Sequence, residues 1–281
     1  MDTTVDAATG GTAAFFDLDK TLISRSSTLA FVPSFYRYGL ISGVQAVRGA
    51  LAQIVFRLGG ADHKRMEKIK DQISKLCCGW PVDRVTEIVT NHLADAIGPF
   101  IYSEARRLME AHRAAGRDVI IVSTSGQEMV GPIGTMLGAT GIIATRMGHA
   151  DGVYTGELEF YAYGEAKAIR IRELSAERGY RLADCFAYSD SVTDLPMLEA
   201  VGHPHAVNPD RHLRKIAVER GWPVLAFELS PAEQTEATEQ TGPTATSEPA
   251  ALPAPVALPA LPAPAASLAL PQVATCEHQE Q

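Results

Sequence analysis

The run Val119-Ile120-Ile121-Val122 is continuous, apolar and β-branched, and it limits the possible folds of this chain more than any other segment. A run without polar alternation is typical of a strand buried on both faces of a parallel sheet. Other short apolar runs lie at 12–17, 184–188 and 204–207, with helix-like segments between the strands. This alternation predicts an α/β fold with a doubly wound parallel sheet.

The remaining segments predict the other elements of this fold from their apolar spacing and their turn residues. Glycine and proline mark most of the boundaries between these segments. Short strands are predicted at 141–145 and 224–227, and a hairpin at 146–157 that turns at 150–152. The predicted helices cover 24–38, 41–57, 61–76, 82–97, 100–115, 128–137, 164–178, 194–201 and 210–220.

The order of these elements divides the chain into a core, an insertion and a tail. Residues 24–98 give only helical patterns directly after the first strand, which predicts a helical cap on a core made of 12–23 and 99–229. From Pro231 the composition changes, because nine of the 17 prolines lie there among Ala, Thr and Glu. Such a composition predicts a disordered Pro/Ala/Glu-rich tail over 230–281, with solubility or docking of a protein partner as its possible roles.

Charge and hydropathy exclude several classes of function. Six acidic residues follow residue 230, where there is no Lys or Arg, so the formal charge of −8 less these six leaves −2 for the rest. That balance argues against nucleic-acid binding. The most apolar window, 40–58, is interrupted by Arg48, Gln53 and Arg57 and predicts no membrane span. The first ten residues lack the pattern of a secretory signal, so we expect a cytoplasmic protein.

Two carboxylates, Asp17 and Asp19, stand where the first predicted strand ends. Side chains at the carboxyl end of a strand in an open α/β sheet face the crevice where ligands bind. Two crowded carboxylates repel each other and need a cation or a shared proton. The pair therefore indicates a metal-assisted acid/base or nucleophilic site, with an Asp-rich turn as the alternative.

Three later features also stand at the end of a predicted strand or at the start of a predicted helix. Ser123 follows a strand, and residues 124–126 lead into a helix, where N–H groups and hydroxyls form an anion cradle. Lys167 opens another predicted helix, from which its ammonium group could reach a phosphate. Asp190 and Asp194 follow the strand at 184–188. Taken singly, these residues have ordinary explanations as helix caps or a solvated surface lysine.

Taken together and in this order, the four motifs resemble those of the haloacid dehalogenase superfamily of aspartate-nucleophile phosphatases. The helical insertion after the first motif resembles the capped subfamily that includes the phosphoserine phosphatases. The resemblance covers residues 12–226. It implies a Rossmann-like core with an inserted all-helical cap, a Mg²⁺ cofactor and a small phosphate ester as substrate.

The resemblance also implies roles for individual residues. Asp17 would be the nucleophile that takes up the phosphoryl group, and Asp19 would be the general acid and base. Asp17, the backbone carbonyl of Asp19, and Asp190 would hold Mg²⁺. The same resemblance implies phosphate or substrate binding by Ser123, Thr124 and Lys167, and supporting roles for Thr21 and Asp194.

The substrate is less defined by the sequence. Phosphoserine phosphatases carry a Glu nine residues after the nucleophile, where this chain has Ser26 beside Arg25. Candidates for binding a substrate carboxylate are Lys64, Arg65 and Lys70. We therefore expect a phosphomonoesterase for a phosphoserine-like or larger metabolite. The alternatives are a phosphotransferase that uses the same aspartyl phosphate, and a regulatory protein built on the phosphatase fold.

Overall fold

The computed structural model describes residues 11–42 and 75–229. Its seven strands form one sheet, and they are β1 (Ala13–Phe16), β2 (Asp118–Gly126), β3 (Gly141–Ala150), β4 (Val153–Phe160), β5 (Phe186–Ser189), β6 (His203–Val207) and β7 (Val224–Leu225). The spatial order is β4-β3-β2-β1-β5-β6-β7. Every neighbouring pair is parallel except β3–β4, which is antiparallel.

The α-helices that the structure describes lie between these strands along the chain. They are α1 (Ser27–Ala30), α2 (Val32–Arg37), α3 (Val82–Ile97), α4 (Ser103–Ala114), α5 (Gln127–Leu137), α6 (Glu165–Arg178), α7 (Leu195–Glu199) and α8 (Arg211–Arg220). Of these helices, none is both long and apolar enough to cross a membrane.

Strand β1 is the point at which the strand order reverses. It pairs with β2 on one side and with β5 on the other, so that Phe16 lies opposite Ile121 and Tyr188. In open α/β sheets, ligands bind outside the carboxyl ends of the strands at such a reversal. The residues that follow β1, β2 and β5 are therefore brought to one crevice.

Alternate residues of the central strands pack into two separate hydrophobic clusters. Phe16 and Ile121 face the cluster that contains side chains of α3, α4 and α5, whereas Phe15 and Ile120 face the cluster that contains side chains of α6, α7 and α8. Burial on both faces explains why these strands carry no polar alternation. The predicted doubly wound α/β core is confirmed.

The β3–β4 hairpin turns at Asp151-Gly152, within the predicted turn. Both residues have positive φ angles, 50° and 78°. Asp-Gly is a favoured pair for a two-residue turn of this kind, because glycine adopts positive φ without a steric penalty. The hairpin strands extend over 141–160, so they are longer than the pattern predicted.

The insertion after β1 differs in detail from its prediction. The helix expected over 24–38 is divided into α1 and α2, since Pro33 in the first turn of α2 has no N–H to continue the hydrogen bonds of α1. The regular elements described within 24–42 and 75–98 are helices and the start of a 3₁₀ turn at 98–100. Most of the helices expected at 41–57 and 61–76, with the predicted tail, lies outside the described residues. The cap and its boundaries stay predictions.

Candidate active site

The carboxyl ends of three adjacent strands bring most of the predicted site residues together. Asp17 follows β1, Ser123 lies near the end of β2, and Asp190 follows β5. The amide of Asp17 donates a 2.9 Å hydrogen bond to the Tyr188 carbonyl, which continues the β1–β5 pairing up to the site. Asp17, Ser123 and Asp190 are all buried.

The loop after β1 is a compact turn around one carbonyl. The oxygen of Leu18 accepts the amides of Thr21, Leu22 and Ile23 at 3.3, 2.9 and 3.2 Å. Lys20 takes a left-handed conformation with φ 66° within this turn. Because Leu18 and Leu22 are fully buried, the apolar core anchors the segment that carries the two aspartates.

The Asp17 carboxylate lies between a cation and a hydroxyl. The Nζ atom of Lys167 lies 2.8 Å from Oδ1, and the Thr21 hydroxyl donates to Oδ2 at 3.3 Å. Burial raises the pKa of Asp17, Lys167 opposes that rise, and Asp194 adds to it. The expected proximity of Asp17, Thr21 and Lys167 is therefore present in the structure.

Lys167 is a buried residue of the site and not a solvated surface lysine. Its side chain is 2% exposed, and Nζ also donates to Asp194 Oδ2 at 2.8 Å. Burial acts against the charged form, but Asp17 and Asp194 outweigh it and raise the pKa of Lys167. Gly164, with φ 56° and ψ −125°, makes the sharp entry into α6 that places Lys167 at the start of this helix.

Ser189 and Asp210 are supporting residues that were not identified from the sequence. The Ser189 hydroxyl donates to Asp194 Oδ2 at 2.7 Å. Asp210 donates its amide to the Asp190 carbonyl at 2.7 Å and accepts the Val192 amide at 2.8 Å. The only sequence signals were the position of Ser189 beside Asp190 and the position of Asp210 at a helix start.

The site holds more carboxylates than its buried cation can neutralise. Burial raises the pKa of Asp190, the nearby Asp17 raises it further, and Lys20 acts in the opposite direction. In the part of the chain that the structure describes, no three His, Cys, Asp or Glu side chains are arranged to hold a metal ion. Hard oxygen donors with uncompensated charge nevertheless suit Mg²⁺, provided that backbone, water or phosphate oxygens complete the shell.

Asp19 is held by the start of α1. Its Oδ1 accepts the Ser27 amide at 2.9 Å. Burial raises the pKa of Asp19, and hydrogen bonds from Ser27 and Ser26 act against that rise. A carboxyl group with a raised pKa retains its proton to higher pH, which suits the role of general acid.

The carboxyl end of β2 presents Ser123 to the site, whereas the Thr124 side chain makes a structural contact. The Ser123 oxygen accepts the Ser125 amide at 3.1 Å, and its hydroxyl can still donate. The Thr124 hydroxyl donates to the Ala162 carbonyl at 2.9 Å. The Thr124 side chain thus joins this segment to the chain before α6, and phosphate binding by Thr124 stays a prediction.

The residues considered for substrate recognition lie partly within the described structure. Arg25 places its guanidinium 4.3 Å from the centre of the Phe100 ring, a cation–π contact. A hydrogen bond from the Ser26 hydroxyl lowers the pKa of the Asp19 carboxyl group. The other candidates, Lys64, Arg65 and Lys70, lie outside the described residues.

Comparison with known proteins identifies relatives over most of the chain. A Streptomyces azureus protein named for inhibition of morphological differentiation is 60% identical over 217 residues, which are 77% of this chain and 78% of that protein. A probable phosphatase of Mycobacterium tuberculosis is 55% identical over 216 residues, which are 77% of this chain and 75% of that protein.

Solved structures share the fold. One is a Bordetella pertussis protein of unknown function, with a TM-score of 0.69 and 30% identity over 79% of this chain and 100% of that chain. Another is a phosphoserine phosphatase solved as an analogue of its phospho-aspartyl intermediate. Its TM-score is 0.57 at 18% identity over 81% of this chain and 99% of that chain, which shows likeness of fold alone.

The family model and the probable phosphatase of Mycobacterium tuberculosis agree on the class of protein. Residues 14–199 match the model of the haloacid dehalogenase-like hydrolases, a span that runs from β1 to the end of α7. This span contains all four motifs that carried the resemblance. The chain therefore belongs to the haloacid dehalogenase-like hydrolase family, and the prediction of a phosphatase enzyme of that family is confirmed.

Proposed function

We propose that this protein is a Mg²⁺-dependent phosphomonoester hydrolase that acts through an aspartyl phosphate on Asp17. The observation that carries the proposal is the buried contact between Asp17 and Lys167, with Asp190 beside it. A carboxylate that attacks a phosphate dianion needs its repulsion neutralised beforehand. A buried ammonium group at 2.8 Å supplies part of that charge without reorganisation during the reaction.

Mg²⁺ would supply the remaining positive charge. Asp17, Asp190 and the backbone carbonyl of Asp19 would hold the ion, with Asp194 supporting this shell through Lys167. When bound, the ion neutralises charge on the carboxylates and on the phosphate oxygens.

The chemistry on the protein side then follows in two steps. A carboxylate oxygen of Asp17 forms a bond to phosphorus while the bond to the leaving oxygen breaks, and Asp19 gives that oxygen its proton. A water molecule next gives a proton to Asp19 and attacks phosphorus, so the bond to Asp17 breaks and inorganic phosphate leaves. The Ser123 hydroxyl and the Lys167 ammonium would donate to phosphate oxygens in both steps.

The proposed substrate is a small phosphorylated metabolite, phosphoserine-like or larger. Ser26 stands at the position where phosphoserine phosphatases carry a Glu, so a hydroxyl takes the place of a charge that would read an amino group. Arg25 is half-buried against Phe100 beside it. Because Ser26 carries no negative charge, we expect an ester whose leaving group does not need an amino group for recognition at this position.

Two alternatives use the same site. A phosphotransferase would pass the phosphoryl group from Asp17 to an alcohol instead of water. A regulatory protein would use the phosphatase fold to control another process, and the name of the Streptomyces relative, inhibition of morphological differentiation, favours a role of this kind. Because Asp17, Asp19, Lys167 and Asp190 are all present, we propose that any regulatory role accompanies catalysis.

Phosphate release from a panel of phosphomonoesters tests the proposal. Wild type and Asp17→Asn are compared with Mg²⁺ and with EDTA, and added alcohols are checked for phosphorylated products. We expect Mg²⁺-dependent release that Asp17→Asn abolishes. Absence of release from every ester, by folded protein with Mg²⁺ present, would overturn the proposal, and phosphorylated alcohol as the main product would favour the phosphotransferase.

Two further expectations stay predictions from the sequence. One is the cytoplasmic location, and the other is a protein partner that binds the tail. Deletion of residues 231–281 tests the latter: unchanged phosphate release with loss of a co-purifying partner would give the tail a binding role of its own.

A further inference from the structure

A series of hydrogen bonds connects Asp19, the proposed general acid, with Ser123, the proposed phosphate-binding residue. Asp19 Oδ1 accepts the Ser27 amide at 2.9 Å. The Ser27 hydroxyl lies 2.8 Å from the Ser125 hydroxyl, and the Ser125 amide donates to Ser123 Oγ at 3.1 Å. Thr28 adds a second hydroxyl 3.2 Å from that of Ser125.

Ser27 and Ser125, at the centre of this series of hydrogen bonds, are shielded from solvent. Ser27 is 0% exposed and Ser125 is 8% exposed. A buried hydroxyl that loses its partner pays the cost of leaving water without compensation, so the Ser27–Ser125 pair favours one geometry. Since Ser27 has no exposed surface, it would act on the reaction through its neighbours and not by touching the substrate.

The helix that carries Ser27 is short, and its start depends on contacts with other segments. Helix α1 is only four residues long, and its N-cap residue, Ser26, makes no side-chain capping bond. Helix propagation contributes little in a single turn, so tertiary contacts decide where such a turn lies. The Ser27–Ser125 contact joins α1 to the carboxyl end of β2 across 98 positions of sequence.

We infer that the Ser27–Ser125 hydroxyl pair is a positioning pair that fixes the carboxyl group of Asp19 relative to the phosphate-binding Ser123. The inference rests on the proposed function, and it assigns roles to Ser27 and Ser125, for which the family resemblance implied no individual role. An error of about 1 Å in the placement of a catalytic group can cost about 100-fold in rate. Loss of the pair should therefore impair the proton transfer by Asp19 most strongly.

Leaving groups of different basicity separate this role from a general effect on structure. A p-nitrophenolate leaves without being protonated, whereas an alkoxide needs the proton of Asp19. We expect Ser27→Ala and Ser125→Ala to lower kcat/KM for an alkyl phosphate such as glycerol 2-phosphate by about 10-fold or more. With p-nitrophenyl phosphate, the same variants should stay within about 3-fold of wild type, since that ester does not use the acid.

Ser175→Ala is the matched control, because Ser175 is also buried and its hydroxyl donates to the Ile171 carbonyl away from the site. Thermal unfolding of all three variants checks that they fold. Because the two serines act as one unit, the double variant should lose no more than the worse single variant.

Each outcome bears on a different statement. If wild type hydrolyses neither ester, the proposed function fails and the inference fails with it. If wild type is active but the Ser27 and Ser125 variants match Ser175→Ala on both esters, the inference alone is wrong. An equal loss on both esters would also overturn it, since the pair would then not act through Asp19.

Discussion

The ammonium group of Lys167 lies 2.8 Å from Asp17 Oδ1, and both side chains are almost completely buried. The same nitrogen lies 2.8 Å from the carboxylate of Asp194. One cation thus contacts two buried carboxylates at the centre of the site and compensates only part of their charge. This contact ties the chemistry of the site to the stability of the fold.

Replacement of Lys167 should lower both the catalytic activity and the stability of the protein. We expect Lys167→Met to lower phosphate release by about 100-fold or more, because the phosphoryl group loses its positive partner. The variant should also lose about 3–5 kcal/mol of unfolding free energy, since Asp17 and Asp194 remain buried without their cation. Steady-state kinetics and urea denaturation measure the two effects.

Lys215→Met is the control for this substitution. The Lys215 side chain is 77% exposed and lies 3.8 Å from Glu219 on the same helix, an arrangement that contributes little to stability. Wild-type kinetics and stability are expected for Lys215→Met. Near-normal activity of Lys167→Met would contradict the proposed role of the ammonium group.

Ser189 should stabilise the fold through Asp194. Its fully buried hydroxyl donates to Asp194 Oδ2 at 2.7 Å, and a hydrogen bond to a charged group contributes about 1.5–3 kcal/mol. Ser189→Ala should lower the unfolding free energy by about that amount and reduce activity less than Lys167→Met does. An unchanged midpoint in urea would show that the contact contributes nothing.

Gly164 should be difficult to replace, because its φ of 56° with ψ of −125° is unfavourable for any residue with a Cβ. We expect Gly164→Ala to cost about 1–3 kcal/mol and to lower activity by shifting Lys167. Gly131→Ala in α5 is the control, since the added Cβ would meet only Ile142 Cδ1, at 3.9 Å. Gly164→Ala should lower the melting temperature, whereas Gly131→Ala should leave it at or above that of wild type.

His112 should make stability depend on pH at a place away from the catalytic carboxylates. Its Nε2 lies 2.8 Å from the Tyr188 hydroxyl, and its buried Nδ1 has no hydrogen-bond partner. Burial, with smaller effects of Arg117 and His205, lowers the pKa of His112 from 6.5 to about 4. The folded protein then binds fewer protons than the unfolded chain between these pH values, so stability falls as pH falls.

The expected contribution of His112 is fully present above about pH 6.5 and decreases by up to about 3 kcal/mol as the pH approaches 4. Urea denaturation at pH 7.5 and pH 5.0 measures it, with His112→Gln as the comparison because glutamine can bond Tyr188 without titrating in this range. The variant should lose less stability than wild type between the two pH values. Equal losses would exclude His112 as the source.

Much of the fold could be predicted because burial leaves a local record in the sequence. A strand covered on both faces must be apolar at every position, as Val119–Val122 is, and each helix must show its apolar stripe. Turn chemistry is equally local, so Asp151-Gly152 predicted the hairpin correctly. Pro33 is also a local signal, since it marks the division of the helix expected over 24–38, but the apolar spacing alone did not reveal that division.

The sequence by itself determined which chemical groups the chain offers and in what order, because strand ends and motif residues can be read along the chain. Only the tertiary structure decided which of them meet. Lys167 and Asp17 are 150 positions apart, and their contact depends on the sheet order and on the turn at Gly164. Ser27 and Ser125 lie in unrelated segments, and packing of α1 against the end of β2 makes them partners. Contacts of this kind leave no local pattern, since the free energy that forms them belongs to the folded arrangement as a whole.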